Sequence, residues 1–128
     1  IPGEAVLTGT SGVEVLSAAR LSKEQTRARN KETLLEIINS TELSDAQKQE
    51  AVDSMVRMTD IAEKEAAAEV LLQAKGFQEA VVSINGDAVD VVINAAELSD
   101  AQRAQIEDIV KRKTDIAAEN IVISTIVQ

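Results

Sequence analysis

The side chains in this sequence that could do covalent or coordination chemistry are carboxylates, hydroxyls and amides. The chain has no histidine and no cysteine. That removes the zinc knuckle, the Cys–His and Ser–His dyads and any disulfide framework. Asp and Glu together number 22, yet none is set by its spacing beside a partner or an apolar pocket, as a general acid–base pair requires. Most fall on solvated helix faces or in first helical turns. Gly3, Gly9 and Gly12 precede no strand-to-helix turn, so they form no phosphate loop. Asp87 and Asp90 lie near a turn but lack the ligand spacing and glycine of a calcium loop. Asn39-Ser40-Thr41 matches a glycosylation acceptor, a pattern that counts only in a eukaryotic secretory protein. No catalytic, cofactor-binding or metal-ligating residue is therefore assigned.

Composition narrows the partners as well. Lys and Arg number 13 against the 22 acids, a net charge of −9, and Phe77 is the single aromatic. Nucleic acid demands cationic contacts to phosphate and, for single strands, aromatic platforms. An anionic membrane surface demands cations too. Neither fits. With 128 residues, 45% of them hydrophobic, the chain has room for one domain with an aliphatic core. It opens Ile1-Pro2-Gly3 without an initiator Met and holds no run of about 20 apolar residues and no signal-peptide pattern. Any anchor is expected upstream of Ile1. Residues 1–20, with Pro2-Gly3 and Thr8-Gly9-Thr10-Ser11-Gly12, read as a flexible arm, and residues 21–128 as the domain.

The elements follow from capping and periodicity. Leu21-Ser22-Lys23-Glu24-Gln25, Leu43-Ser44-Asp45-Ala46-Gln47 and Leu98-Ser99-Asp100-Ala101-Gln102 each carry a Ser-x-x-Gln capping box, so three helix starts are expected. The second and third boxes recur at an offset of 55 positions (100 − 45), and Thr59-Asp60-Ile61-Ala62 returns ungapped as Thr114-Asp115-Ile116-Ala117. Convergent capping and old duplication both account for this. Helices are expected over 22–39, 44–75 and 99–113. Leu34, Leu35, Ile37 and Ile38 form the apolar side of the first. Val52, Met55, Val56, Ala62, Ala66 and Val70 serve the second, and Ile106, Ile109 and Val110 the third. Thr59-Asp60 offers a break in the second helix, and Gly76 a stop.

From Phe77 the period shifts to 2. A turn at Asn85-Gly86 closes a hairpin over 79–94, pairing Ile84 with Asp87, Val82 with Val89 and Ala80 with Val91. Ala80, Val82, Ile84, Val89, Val91 and Ile93 then share a dry face, and Glu79, Val81, Ser83, Ala88, Asp90 and Val92 a wet one. A last strand runs over 121–127. The fold class is α+β, with helices on one face of a three-stranded sheet in the order helix, strand, strand, helix, strand, preceded by extra helix. Strand order stays open.

Two resemblances bear on function. Asp53-Ser54-Met55 resembles the Asp-Ser-Leu of acyl carrier proteins, but that family places its serine at a helix start in an all-helical fold. Much more of the chain resembles the stage III sporulation AH family of endospore formers. Lys31-Glu32-Thr33-Leu34-Leu35-Glu36-Ile37-Ile38, the two Leu-Ser-Asp-Ala-Gln boxes and Asn120-Ile121-Val122-Ile123 carry it, and it spans nearly the whole sequence. The resemblance implies a ring-building motif like those of type III secretion and flagellar basal rings. It further implies an extracytoplasmic domain on a mother-cell membrane anchor, facing the space around the forespore. The partner implied is stage II sporulation protein Q, in a zipper and channel across two membranes, with a homo-oligomeric ring and other stage III A proteins alongside. It implies no catalytic residue and no cofactor.

The residues add a docking reading of their own. If helices cover one sheet face, Val81 and Val92 remain on the other, joined by Val122, Ser124 and Ile126. An uncharged terminal strand at a sheet edge invites a partner, unless it is central or the N-terminal arm lies over it. An acyl-carrier-like or carboxylate-based small enzyme, and a homo-oligomeric scaffold without a hetero-partner, are the alternatives.

Overall fold

The computed structural model describes residues 12–126. Helix α1 spans Gly12–Ile38 and α2 Asp45–Ala74. They are followed by β1 (Val81–Asn85), β2 (Ala88–Asn94), α3 (Asp100–Thr114), a 3₁₀ turn at Ala118–Asn120 and β3 (Ile121–Ile126). The strands form one sheet in the order β1-β2-β3, with β1 antiparallel and β3 parallel to β2. A parallel neighbour requires a crossover, which α3 supplies. The expected α+β unit is thus present, with α1 as its extra helix.

Two capping boxes form in full. At Ser44 and Ser99 the hydroxyl accepts the N3 amide, and the side chains of Gln47 and Gln102 accept the N-cap amides. The third does not start a helix. Ser22 lies inside α1, which is continuous from Gly12, so the arm reading of 1–20 is corrected from residue 12 onward; residues 1–11 lie outside the described residues. The reason is tertiary. Leu16 is buried, and Arg20, Lys23 and Arg27 all reach the sheet edge or Glu65 beneath it. Those residues recur at spacings of 4, 3 and 4, one helical face, and their anchoring outweighs the capping preference of Ser22.

Helix α2 also runs unbroken through Thr59-Asp60, whereas the same pair ends α3, where Asp115 adopts a left-handed φ of 61°. Both threonines bond back to the carbonyl four residues earlier, Thr59 to Met55 and Thr114 to Val110. That bond does not decide the outcome. Past Thr59 the chain must stay helical to deliver Glu65 and Glu69 to the sheet. Gly76 ends α2 as expected, at φ 97°. Phe77 N–H donates to Leu72 O and Gly76 N–H to Gln73 O, a Schellman closure that turns Phe77 into the core.

The hairpin turn is displaced by one residue. Asn85 pairs with Ala88, so Gly86-Asp87 are the central residues, and Val82 faces Val91 and Ile84 faces Val89. Gly86 has φ 63° while Asp87 does not share a positive φ, the pattern of a II′ turn with glycine first. The shift moves Asp87 off the dry face and into the exposed tip, and because the pairing slips by two, each remaining residue keeps its face.

Ala80, Val82, Val89, Val91 and Ile93 pack with Ala68 and Leu72 of α2, Phe77, and Ile106, Ile109 and Val110 of α3. The stripe expected on α2 is corrected. Val56 and Val70 are exposed, as are Val52, Ala62 and Ala66, while Ala51, Glu65, Ala68 and Leu72 are buried. Residues 61, 65, 68 and 72 make the inward row, with a glutamate in its middle.

Removing a buried leucine leaves both lost transfer energy and a cavity. Leu72→Ala should cost about 3 kcal/mol in urea unfolding, and Ser99→Ala about 1 kcal/mol through loss of its cap. Equal, negligible effects would contradict this packing.

Candidate interaction surface

A sheet of three strands has two edges, and here they differ. Along β1 four outward backbone groups are taken by charged side chains. Arg20 Nη2 donates to Ala80 O at 2.7 Å and Lys23 Nζ to Val82 O at 2.9 Å. Glu69 Oε2 accepts Val82 N–H at 2.8 Å and Glu65 Oε2 accepts Ile84 N–H at 2.7 Å. The alternation of 80, 82 and 84 is that of a strand edge, so two helices supply with side chains what a fourth strand would supply with backbone. Arg20 fits least well, because its Nε is buried without a hydrogen-bond partner.

Glu65 is the centre of this clamp. It is 2% exposed and receives Arg27 through both guanidinium nitrogens, Nη2 to Oε2 at 2.8 Å, as well as Lys23 Nζ at 3.1 Å. Burial alone would raise its pKa. The hydrogen bonds from Arg27 and Ile84 N–H, with the charge of Lys23, outweigh that and hold it below the usual carboxylate range. Hydrogen bonding to Glu65 likewise raises Arg27. A carboxylate so fully paired has no free basicity for catalysis. Sequence reasoning missed it by excluding acids from the core; its place in the row 61, 65, 68, 72 was the available signal.

The β3 edge is different. Among the described residues no side chain bonds to the backbone of β3. Register puts Val122, Ser124 and Ile126 opposite Asp90, Val92 and Asn94, and Val92 opposite Val81. The five residues expected to dock a partner therefore do share the face away from the core, as one contiguous patch. They are not equally available. Val122 is 53% exposed and Ser124 exposed, Val92 and Ile126 are half-buried, and Val81 is only 5% exposed. Val81 is withdrawn from the patch as the chain stands. Its burial coincides with the approach of α1 to β2 and with the burial of Leu16.

The remaining chemical candidates stay apart. Ser54 lies well inside α2 and accepts from Arg57 Nη2 at 2.9 Å, unlike a carrier serine at a helix start. Asp87 is at the hairpin tip and Asp90 on the open face. Asn39-Ser40-Thr41 lies in the α1–α2 connection. Among the described residues no group of three or more acids is placed to hold a metal ion, and no helix is long and apolar enough to cross a membrane. A groove of about 580 Å³ runs between α1 and α2 over Met55, Met58, Ala62 and Ala66.

The fold and surface define a small α+β domain whose sheet has one edge closed by charge and, among the described residues, no side chain bonded to the backbone of the other. The chain belongs to the SpoIIIAH-like protein family, whose model matches residues 4–123. It is 26% identical over 108 residues to stage III sporulation protein AH of Bacillus subtilis (strain 168), covering 84% of this chain. It spans half the length of that relative. It is also similar to a chain in the structure of the SpoIIQ–SpoIIIAH pore-forming complex, with a TM-score of 0.79 and 23% identity, over 89% of this chain and 98% of that one.

A depressed carboxylate pKa contributes stability above its unfolded value, about 4.3, and loses it as pH falls through the folded value. Glu65→Gln should therefore cost about 3 kcal/mol at pH 7, the low end for breaking a buried pair because Lys23 and Arg27 can rehydrate. The deficit relative to wild type should shrink as pH falls below about 4. Denaturant melts across pH test this, and a pH-independent deficit would contradict it.

Proposed function

We propose that this chain is a docking domain that binds SpoIIQ, using the open face and free edge of β3, and so takes part in a pore-forming complex of the kind its structural relative represents. The observation that carries the reading is the contrast between the two sheet edges. Four charged side chains occupy the outward groups of β1, whereas β3 presents Val122 and Ser124 uncovered. Extended segments pair with an uncovered edge through backbone bonds, and side-chain pockets on the flanking face add specificity. Membership of the SpoIIIAH-like family and likeness to a chain of the SpoIIQ–SpoIIIAH complex support SpoIIQ as the partner.

On this reading the domain is non-enzymatic and extracytoplasmic, held by an anchor in the mother-cell membrane and facing the space around the forespore. Its contact residues are Val92, Val122, Ser124 and Ile126, with Val81 behind them as support. The acidic surface favours a partner that presents cations at the rim, where charge sets encounter rate and register.

Val122→Lys with Ser124→Lys should weaken binding to SpoIIQ of the same organism at least tenfold, the effect of about 1.4 kcal/mol, with far-UV circular dichroism unchanged. Val92→Lys with Ile126→Lys should abolish it. Arg103→Glu, on the exposed side of α3, should leave it intact. Titration calorimetry reads all three, and undiminished affinity in both lysine pairs would sink the assignment.

A further inference from the structure

We infer that the charged clamp over β1 sets the valence of the sheet: it leaves each copy one strand-accepting edge, and thereby stops a second copy's β3 from adding to β1. The argument is one of symmetry. A chain with a single open edge can pair through it with one neighbour, either a partner strand or, isologously, the β3 of another copy, and the assembly then closes. A chain with both edges open can pair β3 with the next copy's β1 indefinitely, which is a heterologous contact that grows into filaments. Strand edges are templates of this kind unless something covers them.

The cover runs unbroken from Ala80 O to Ile84 N–H, and among the described residues no side chain donates to Ile84 O beyond it. Ala80 O, Val82 N–H and O, and Ile84 N–H are each engaged, by Arg20, Glu69, Lys23 and Glu65 respectively in space along the strand. An incoming strand would have to displace the carboxylate of Glu65 from Arg27 and Lys23 inside the protein. It would gain only neutral backbone bonds in exchange for charge-assisted ones. The second edge is therefore shut by more than steric cover.

The test leaves the Glu65–Arg27 pair in place and strips the outer three: Arg20→Ala, Lys23→Ala and Glu69→Ala together. In sedimentation velocity the wild type should form nothing larger than two copies. The triple variant should form species that lengthen with concentration, and adding Val122→Lys and Ser124→Lys should return it to the wild-type distribution. A folded triple variant that sediments like wild type would overturn the inference, and so would wild-type chains longer than two that the β3 lysines dissolve. Should the triple variant fail to fold, amide hydrogen exchange on the wild type decides. Val82 and Ile84 N–H should be protected although they face away from β2, and exchange at the rate of exposed amides would show that the edge is not shut. None of these readouts involves SpoIIQ, so the inference and the docking reading can fail separately.

Discussion

A carboxylate taken out of water has to be met by donors, and the way Glu65 meets them organises this molecule. It draws Arg27 and Lys23 from α1 and Ile84 N–H from β1 to one point on α2. Three elements distant in sequence are fixed to one another by that demand. An isolated buried charge costs several kcal/mol or more, so the site tolerates no half-formed state. The position of α1 follows from it, and so does the difference between the two sheet edges.

The stabilising share of such a site is easily overstated. Well-packed apolar residues of similar volume often serve stability as well as a buried ion pair does. What apolar residues could not do is satisfy the backbone of β1. Leucines over that edge would bury the amides of Val82 and Ile84 and the carbonyls of Ala80 and Val82 without partners, each at a cost of about 1–3 kcal/mol. Charged side chains with long stems reach those groups while their aliphatic parts cover the strand. The polar contacts therefore specify an edge where an apolar core specifies a face.

Local rules were legible in the sequence where local physics decides. The boxes at Ser44 and Ser99, the stop at Gly76, the stripe of Ile106, Ile109 and Val110, and the dry face from Ala80 to Ile93 all depend on neighbours within a few residues. Where distant residues decide, the reading went astray. Ser22 looked like a start because its box is complete, but Leu16, Arg20, Lys23 and Arg27 hold the helix through it. Thr59-Asp60 looked like a break because nothing nearby shows that Glu65 must arrive in helical phase. Val52, Val56 and Val70 looked like core because apolar residues were counted and the glutamate at the centre of the true row was not. Val81 of β1, Val92 of β2 and Val122, Ser124 and Ile126 of β3 fall on one face, since parity survives the displaced turn. The burial of Val81 depends on long-range packing that parity does not encode.

The clamp bonds made by α1 join residues 38 to 60 positions apart and those made by α2 to the strand 13 and 19, whereas the β1–β2 hairpin closes over a two-residue turn. Loop-closure entropy must be met before contacts between distant segments are rewarded, so near-neighbour pairing runs ahead. During refolding the hairpin is thus in place before α1 completes the cover over its β1 flank. The interval before α1 docks is the time when neighbouring chains can cross-pair along that edge.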